Sequence, residues 1–122
     1  MAKTIMIVDD SASLRQVVSI TLKSAGYDVL TACDGKDALG KLSGQKINLV
    51  ISDVNMPNLD GIGFVSQMKA MPSYKFTPVI MLTTESGTDK KQAGQAAGVK
   101  AWMVKPFQPQ QMLDAVSKLI QP

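Results

Sequence analysis

The sequence predicts an α/β fold, a doubly wound five-stranded parallel sheet with five helices packed on its two faces, in a single domain. Three observations predict it. Five short apolar runs alternate with five amphipathic stretches along 122 residues, the pattern of consecutive βα units. The apolar runs are continuous rather than alternating, which marks strands covered on both faces. Acidic, hydroxyl and basic side chains collect just after the runs, where an open parallel sheet binds its ligands.

The strands are expected at Thr4–Val8, Val29–Ala32, Leu49–Ser52, Val79–Leu82 and Ala101–Val104. Between the first two, Leu14, Val17, Val18, Thr21, Leu22 and Ala25 form a stripe at helical spacing. Ser11 or Ser13 can cap the start of this helix and Gly26 its end. A shorter helix carries Ala38, Leu39 and Leu42 and stops near Gly44; a third carries Ile62, Val65 and Met68 and ends before Pro72. Gly61 is expected to let the chain turn tightly into that third helix. The fourth, over residues 89–97, is the weakest pattern, because Gly94 lies inside it and large apolar residues are few. The fifth follows Pro109, suited to a first helical turn, and carries Met112, Val116, Leu119 and Ile120.

A chain of 122 residues fits one domain, 1–122, able to bury roughly two-thirds of its unfolded surface. With 8 Met against 3 Phe, 2 Tyr and 1 Trp, its core must be aliphatic and Met-rich. The net charge is +3, but no basic run exceeds Lys90-Lys91 and aromatic residues are not expected to interleave with basic ones, so a solvated surface of mixed charge is expected and no nucleic-acid partner. One Cys permits no intramolecular disulfide, as in a reducing compartment, and Cys33 reads as a small apolar residue beside the Asp34-Gly35 turn. No charged-then-apolar leader opens the sequence, and no apolar stretch approaches the roughly 18 residues that span a bilayer. A cytoplasmic monomer with no membrane partner is expected. The absence of His excludes Ser-His-Asp catalysis, His-ligated zinc and a phosphohistidine on this chain.

The chemistry stands at the strand ends. Asp9 and Asp10 follow the first strand, Asp53 and Asn55 the third, Thr83 the fourth and Lys105 the fifth. Three carboxylates brought together repel one another and raise their own pKa values unless something neutralises them. An oxygen-only donor set without Cys or His suits a hard divalent cation such as Mg²⁺. A lone Asp in such a place is usually a helix cap or turn former. The whole set, at one edge of the sheet and outside its core, is not accounted for in that way.

Four segments in this order, Val8-Asp9-Asp10-Ser11, Ser52-Asp53-Val54-Asn55-Met56-Pro57-Asn58-Leu59-Asp60-Gly61, Met81-Leu82-Thr83-Thr84-Glu85 and Val104-Lys105-Pro106-Phe107, resemble the response-regulator receiver domain, specifically its single-domain chemotaxis type. The likeness runs the length of the chain. It implies the flavodoxin-like strand order 2-1-3-4-5 and a function as a phosphorylation-activated two-component response regulator. Asp53 would be the phosphoacceptor, receiving its phosphoryl group from a histidine kinase of the chemotaxis type. Asp10, Asp53 and the backbone carbonyl of Asn55 would bind Mg²⁺, with Asp9 acting directly or through water. Lys105 and Thr83 would contact the phosphoryl oxygens, and Lys105-Pro106 would be a cis peptide. Trp102, where a Tyr is familiar in chemotaxis relatives, would be the aromatic residue that moves when Thr83 is drawn to the phosphate. Val54 and Thr84 depart from the usual Trp and Ala; the bulk of Thr84 could slow the water that removes the phosphoryl group.

The resemblance also implies no enzyme in the ordinary sense, but a signalling protein that promotes its own phosphorylation and slow dephosphorylation, with a phosphatase as a further partner. Its output face would be the fourth helix, fifth strand and fifth helix. Lys91 stands there in place of an aliphatic anchor, and Gly87-Thr88 in place of a Lys pair, so weak or absent binding to the flagellar motor switch is expected. A phosphate sink or a regulator of another assembly is the alternative reading. An Asp-nucleophile phosphatase is a remote one, since that class carries its nucleophile on the first strand. A flavin carrier of the same fold is disfavoured because Asp9 and Asp10 would repel the flavin phosphate.

Overall fold

Each strand is an apolar run whose odd and even side chains enter different cores, as the two-residue repeat requires. In the computed structural model, which describes residues 3–42, 45–54, 56, 58–83, 99–105 and 108–120, β1 spans Thr4–Val8. Ile5, Met6, Ile7 and Val8 are all fully buried. Met6 and Val8 join one core with Val50, Phe64, Val65, Met68 and Met81. Ile5 and Ile7 join the other with Val18, Leu22, Ile51, Leu82, Met112 and Val116. Burying one such side chain contributes about 1.5–3 kcal/mol, so truncating Ile7 or Leu22 to Ala would cost about 2–5 kcal/mol.

The remaining strands are β2 (Asp28–Ala32), β3 (Leu49–Asp53), β4 (Val79–Thr83) and β5 (Ala101–Val104). All pair in parallel, in the order β2-β1-β3-β4-β5. β3 and β4 each run one residue further than the sequence pattern indicates, so Asp53 and Thr83 are the last residues of their strands. This is the expected flavodoxin-like sheet, and the chain departs from β1 to β2 on one side and later takes up β3 on the other. That reversal opens a crevice at the carboxyl ends of β1 and β3.

Helix α1 (Ala12–Ser24) and the C-terminal helix (Pro109–Leu119) cover one face; α2 (Gly35–Lys41) and α3 (Gly61–Lys69) cover the other. Ser11 caps α1, its Oγ accepting from Leu14 N at 3.3 Å. Gly26, at φ +97°, takes the left-handed conformation that lets the chain leave this helix and enter β2. Asp34 caps α2 by accepting from Asp37 N at 2.8 Å, while Asp37 accepts in return from Cys33 N at 3.0 Å, a reciprocal cap of the capping-box kind. Asp60 caps α3 through Gly63 N at 2.7 Å. Pro109 opens the C-terminal helix at its first turn.

The expected stripe of the first helix is only partly buried. Val17 is 55% exposed and Ala25 is an exposed cap, so the buried stripe of α1 narrows to Val18 and Leu22 with Leu14 beside them. A helix laid on a sheet buries a narrower stripe than one inside a bundle. Cys33, beside the Asp34-Gly35 turn, is exposed. The expected fourth helix (89–97), Gly44 and Pro106 lie outside the described residues.

Candidate functional site

Asp9 anchors the crevice. It is fully buried, and its backbone N–H donates to Ala32 O at 3.1 Å. Its Oδ1 accepts from Ser11 N at 2.8 Å, its Oδ2 from Lys105 Nζ at 3.0 Å, and its carbonyl from Arg15 Nη1. Both carboxylate oxygens of Asp9 therefore already have donors, whereas the next residue, Asp10, is exposed. One ligand oxygen from each of Asp9, Asp10 and Asp53 lies within 4.8 Å of the others.

Asp53 ends the central strand, buried at 7% exposure, with Oδ2 at 3.4 Å from Lys105 Nζ. Burial, and after it the charge of Asp9, raises the Asp53 pKa above the ordinary carboxylate value; Lys105 opposes the shift. Lys105 itself is positioned by backbone, its N–H donating to Thr83 O at 2.7 Å. Thr83 is buried beside it at the end of β4.

The backbone behind Asp53 is held as tightly as its side chain. The carbonyl of Asp53 accepts from Ser52 Oγ at 2.9 Å, and Gly61 N donates to Val54 O at 2.9 Å. A Cβ on Gly61 would stand 2.0 Å from Asp53 O. The need for glycine here is close approach of α3 to the end of β3, and not the tight turn expected from sequence. Asn58, at φ 69°, donates from Nδ2 to Asp34 Oδ2 at 2.8 Å, tying the loop after β3 to the cap of α2. The amide of Asp37, and after it the Asn58 side chain, holds Asp34 below the usual carboxylate range.

This constellation can be compared with known proteins. The family model described as the response regulator receiver domain matches residues 5–117. The chain belongs to the response regulator receiver family. Among solved structures, the chemotaxis protein CheY4 of Vibrio cholerae is 46% identical to this receiver, covers 98% of it and 99% of its own chain, and superposes with a TM-score of 0.94. Protein PilG of Pseudomonas aeruginosa is 38% identical over 92% of the receiver and 83% of its own length. Chemotaxis protein CheY1 of Helicobacter pylori is 39% identical over 87% of each chain. Against the transcriptional regulators among its relatives, the receiver spans about half of their length (44–49%).

Of the residues singled out in the sequence, the receiver fold brings Asp9, Asp10, Asp53, Thr83 and Lys105 to one sheet edge. Asn55 lies outside the described residues. Trp102 stands apart, on β5 opposite Met81 in the register. It is half-buried against the core on the α2/α3 face, and its buried Nε1 has no hydrogen-bond partner among the described residues. Sequence reasoning missed Arg15, Ser52 and the Asn58–Asp34 tie. Only Asn58 carried a signal, as an Asn suited to the left-handed region.

Proposed function

We propose that this receiver is a phosphorylation-activated response regulator that takes a phosphoryl group on Asp53 from a phosphohistidine of a partner kinase, with Mg²⁺ bound alongside. The observation that carries the reading is the position of the Asp53 carboxylate, between an all-carboxylate oxygen cluster and a single fixed ammonium.

The donor set fits Mg²⁺. Three carboxylates with no nitrogen or sulfur donor make a hard oxygen site, and an exposed Asp10 leaves room for the waters that this ion retains. Because both oxygens of Asp9 already accept hydrogen bonds, Asp10 and Asp53 would hold the ion directly and Asp9 through water; the carbonyl of Asn55 is the further ligand that the family implies. When bound, the ion offsets the charge repulsion between an anionic nucleophile and an anionic phosphoryl group.

The chain's own residues do the rest. An Asp53 oxygen forms the new bond to phosphorus as the bond to the donor imidazole nitrogen breaks. Lys105, freed in part from Asp53, supplies its ammonium to the phosphoryl oxygens, and Asp9 keeps that ammonium in place. The Thr83 hydroxyl lies at the adjacent strand end and would donate to the same group. The added charge of about −1.5 to −2 would then pull on Thr83, with Trp102 on the neighbouring strand as the group that responds. The reading is of a signalling phosphoacceptor and not of a turnover enzyme. Its chemotaxis relatives support a chemotaxis-type pathway, with a histidine kinase as donor; control of an assembly other than the flagellar motor is the second reading, favoured by Lys91.

The experiment is phosphorylation with acetyl phosphate in Mg²⁺ and in EDTA, read by intact mass. A single hydroxylamine-sensitive phosphoryl group appearing only with Mg²⁺ is expected. Labelling that is independent of the metal, or stable to hydroxylamine, would contradict the proposal.

A further inference from the structure

The end of the sheet opposite the acidic cluster carries the opposite charge. The parallel register aligns the amino-terminal ends of β1, β3, β4 and β5, with Asn48 N donating to Thr4 O, Val50 N to Pro78 O and Lys100 N to Val79 O. A lysine stands shortly before each of these ends: Lys3, Lys46, Lys75 and Lys100. With neighbouring strands about 4.8 Å apart, the four span roughly 14 Å. Lys69 joins them from the last turn of α3, its ammonium donating to Thr77 O. Burial, and after it the charge of Lys100, holds the Lys69 ammonium below the usual lysine range. None of the described ion pairs involves Lys3, Lys69, Lys75 or Lys100. Among the described residues, the one acid at this edge by register is Asp28, whose N–H donates to Lys3 O.

An aromatic side chain projects from the same edge. Phe76 is 76% exposed, and the Lys75 ammonium lies 5.6 Å from its ring centroid. The basic-aromatic segment Tyr74-Lys75-Phe76 corrects the expectation that aromatic residues do not interleave with basic ones.

We propose that this lysine edge, with Phe76 at its rim, is an interaction surface for anionic lipid headgroups, on which the protein docks peripherally. The edge is built from lysines, which are point charges; the single Arg of the sequence is Arg15, at the other end of β1 beside Asp9. It therefore offers no bidentate fork for reading individual phosphates. One exposed Phe gives no platform for stacking successive bases, as a single-stranded nucleic acid would require. A flat anionic bilayer asks only for charge summed over an area, each lysine near it strengthening binding by about fivefold, and for an aromatic ring that can enter the interface. That no described helix is long and apolar enough to cross a membrane bears on spanning, not on surface contact. The acidic edge is one strand length away, roughly 16 Å, and would face away from the bilayer toward its partners.

The test is sedimentation of the full chain with phosphatidylcholine vesicles with and without one-third phosphatidylglycerol, at low and high salt. Binding to the anionic vesicles alone, weakened by salt, is expected. The double variant Lys75→Glu, Lys100→Glu should lose at least tenfold and Phe76→Ser several-fold. All three positions are exposed, so circular dichroism and phosphorylation should be unchanged. No binding to anionic vesicles, equal binding to pure phosphatidylcholine, or full binding by the double variant would overturn the proposal. Binding of single-stranded oligonucleotide without vesicle binding would overturn it in favour of nucleic acid.

Discussion

Lys105 Nζ lies between two carboxylates, 3.0 Å from Asp9 Oδ2 and 3.4 Å from Asp53 Oδ2. The ammonium thus offsets in part a repulsion that the fold itself creates by ending β1 and β3 in acids. Lys105→Met should leave those two carboxylates facing each other. The lysine side chain is 19% exposed, so the loss falls between that of a surface pair and a fully buried one, about 1–3 kcal/mol. Thermal melts in EDTA should show it, and saturating Mg²⁺ should restore more stability to the variant than to wild type. Equal melting of the two proteins in EDTA would mean that the ion pair contributes nothing.

Asp53 gives the pH dependence. Its folded pKa is raised, chiefly by burial and then by Asp9, so the fold favours its neutral form. The stability from that neutral form is present in full below the ordinary carboxylate value and is lost as pH rises through the raised folded value. Mg²⁺ needs the ionised form, so its affinity should fall as pH is lowered toward the raised folded value, with proton release on binding there. Calorimetry in two buffers of different ionisation enthalpy checks this. An affinity that stays flat on acidification until the protein unfolds would place the metal away from Asp53.

Gly61 and Gly40 make a matched pair. Gly61→Ala sets a Cβ 2.0 Å from the Asp53 carbonyl, a backbone atom that cannot rotate aside, and should cost about 2–4 kcal/mol while slowing phosphorylation. Gly40 has nothing within 4 Å of its would-be Cβ and lies inside α2. Gly40→Ala should stabilise by about 0.5–1 kcal/mol. Urea denaturation of both variants separates the two effects. Similar values for the pair would refute the close approach.

The Trp102 indole leaves a buried N–H without an acceptor among the described residues. Trp102→Phe removes that donor along with one ring, so the variant should range from neutral to about 1 kcal/mol more stable. Denaturation followed by circular dichroism measures it. A loss above about 2 kcal/mol would mean that ring volume, and not the unpaired N–H, dominates.

Much of the fold was legible because its three central strands are buried on both faces: a run such as Leu49-Val-Ile-Ser has no solvent side and can only be a central strand. The site was legible for the same reason, since polar residues directly after such runs must emerge together at one edge. Side-chain partners across the sheet were not. Nothing in sequence couples Asn58 to Asp34 or Arg15 to the Asp9 carbonyl, as those contacts depend on how α2 and α1 lie against the sheet. The exposure of Val17 was misjudged because hydrophobicity reports what can be buried, not what a narrow helix–sheet contact has room to bury. Phe76 escaped notice for the converse reason, as a large apolar residue on the surface leaves no periodic trace.

If Asp53 is the acceptor, its substitution with a mass readout will show it. Asp53→Asn keeps the size of the side chain but removes the nucleophilic carboxylate, and the ionised group it replaces is one that the metal-free fold disfavours. The variant should therefore fold. Wild type and variant are incubated with acetyl phosphate and Mg²⁺, then digested and mapped. One phosphoryl group is expected on the peptide holding Asp53 in wild type and none anywhere in the variant. Stoichiometric labelling of Asp53→Asn at the wild-type rate, or a phosphoryl group on Asp9 or Asp10 in the wild type, would contradict it.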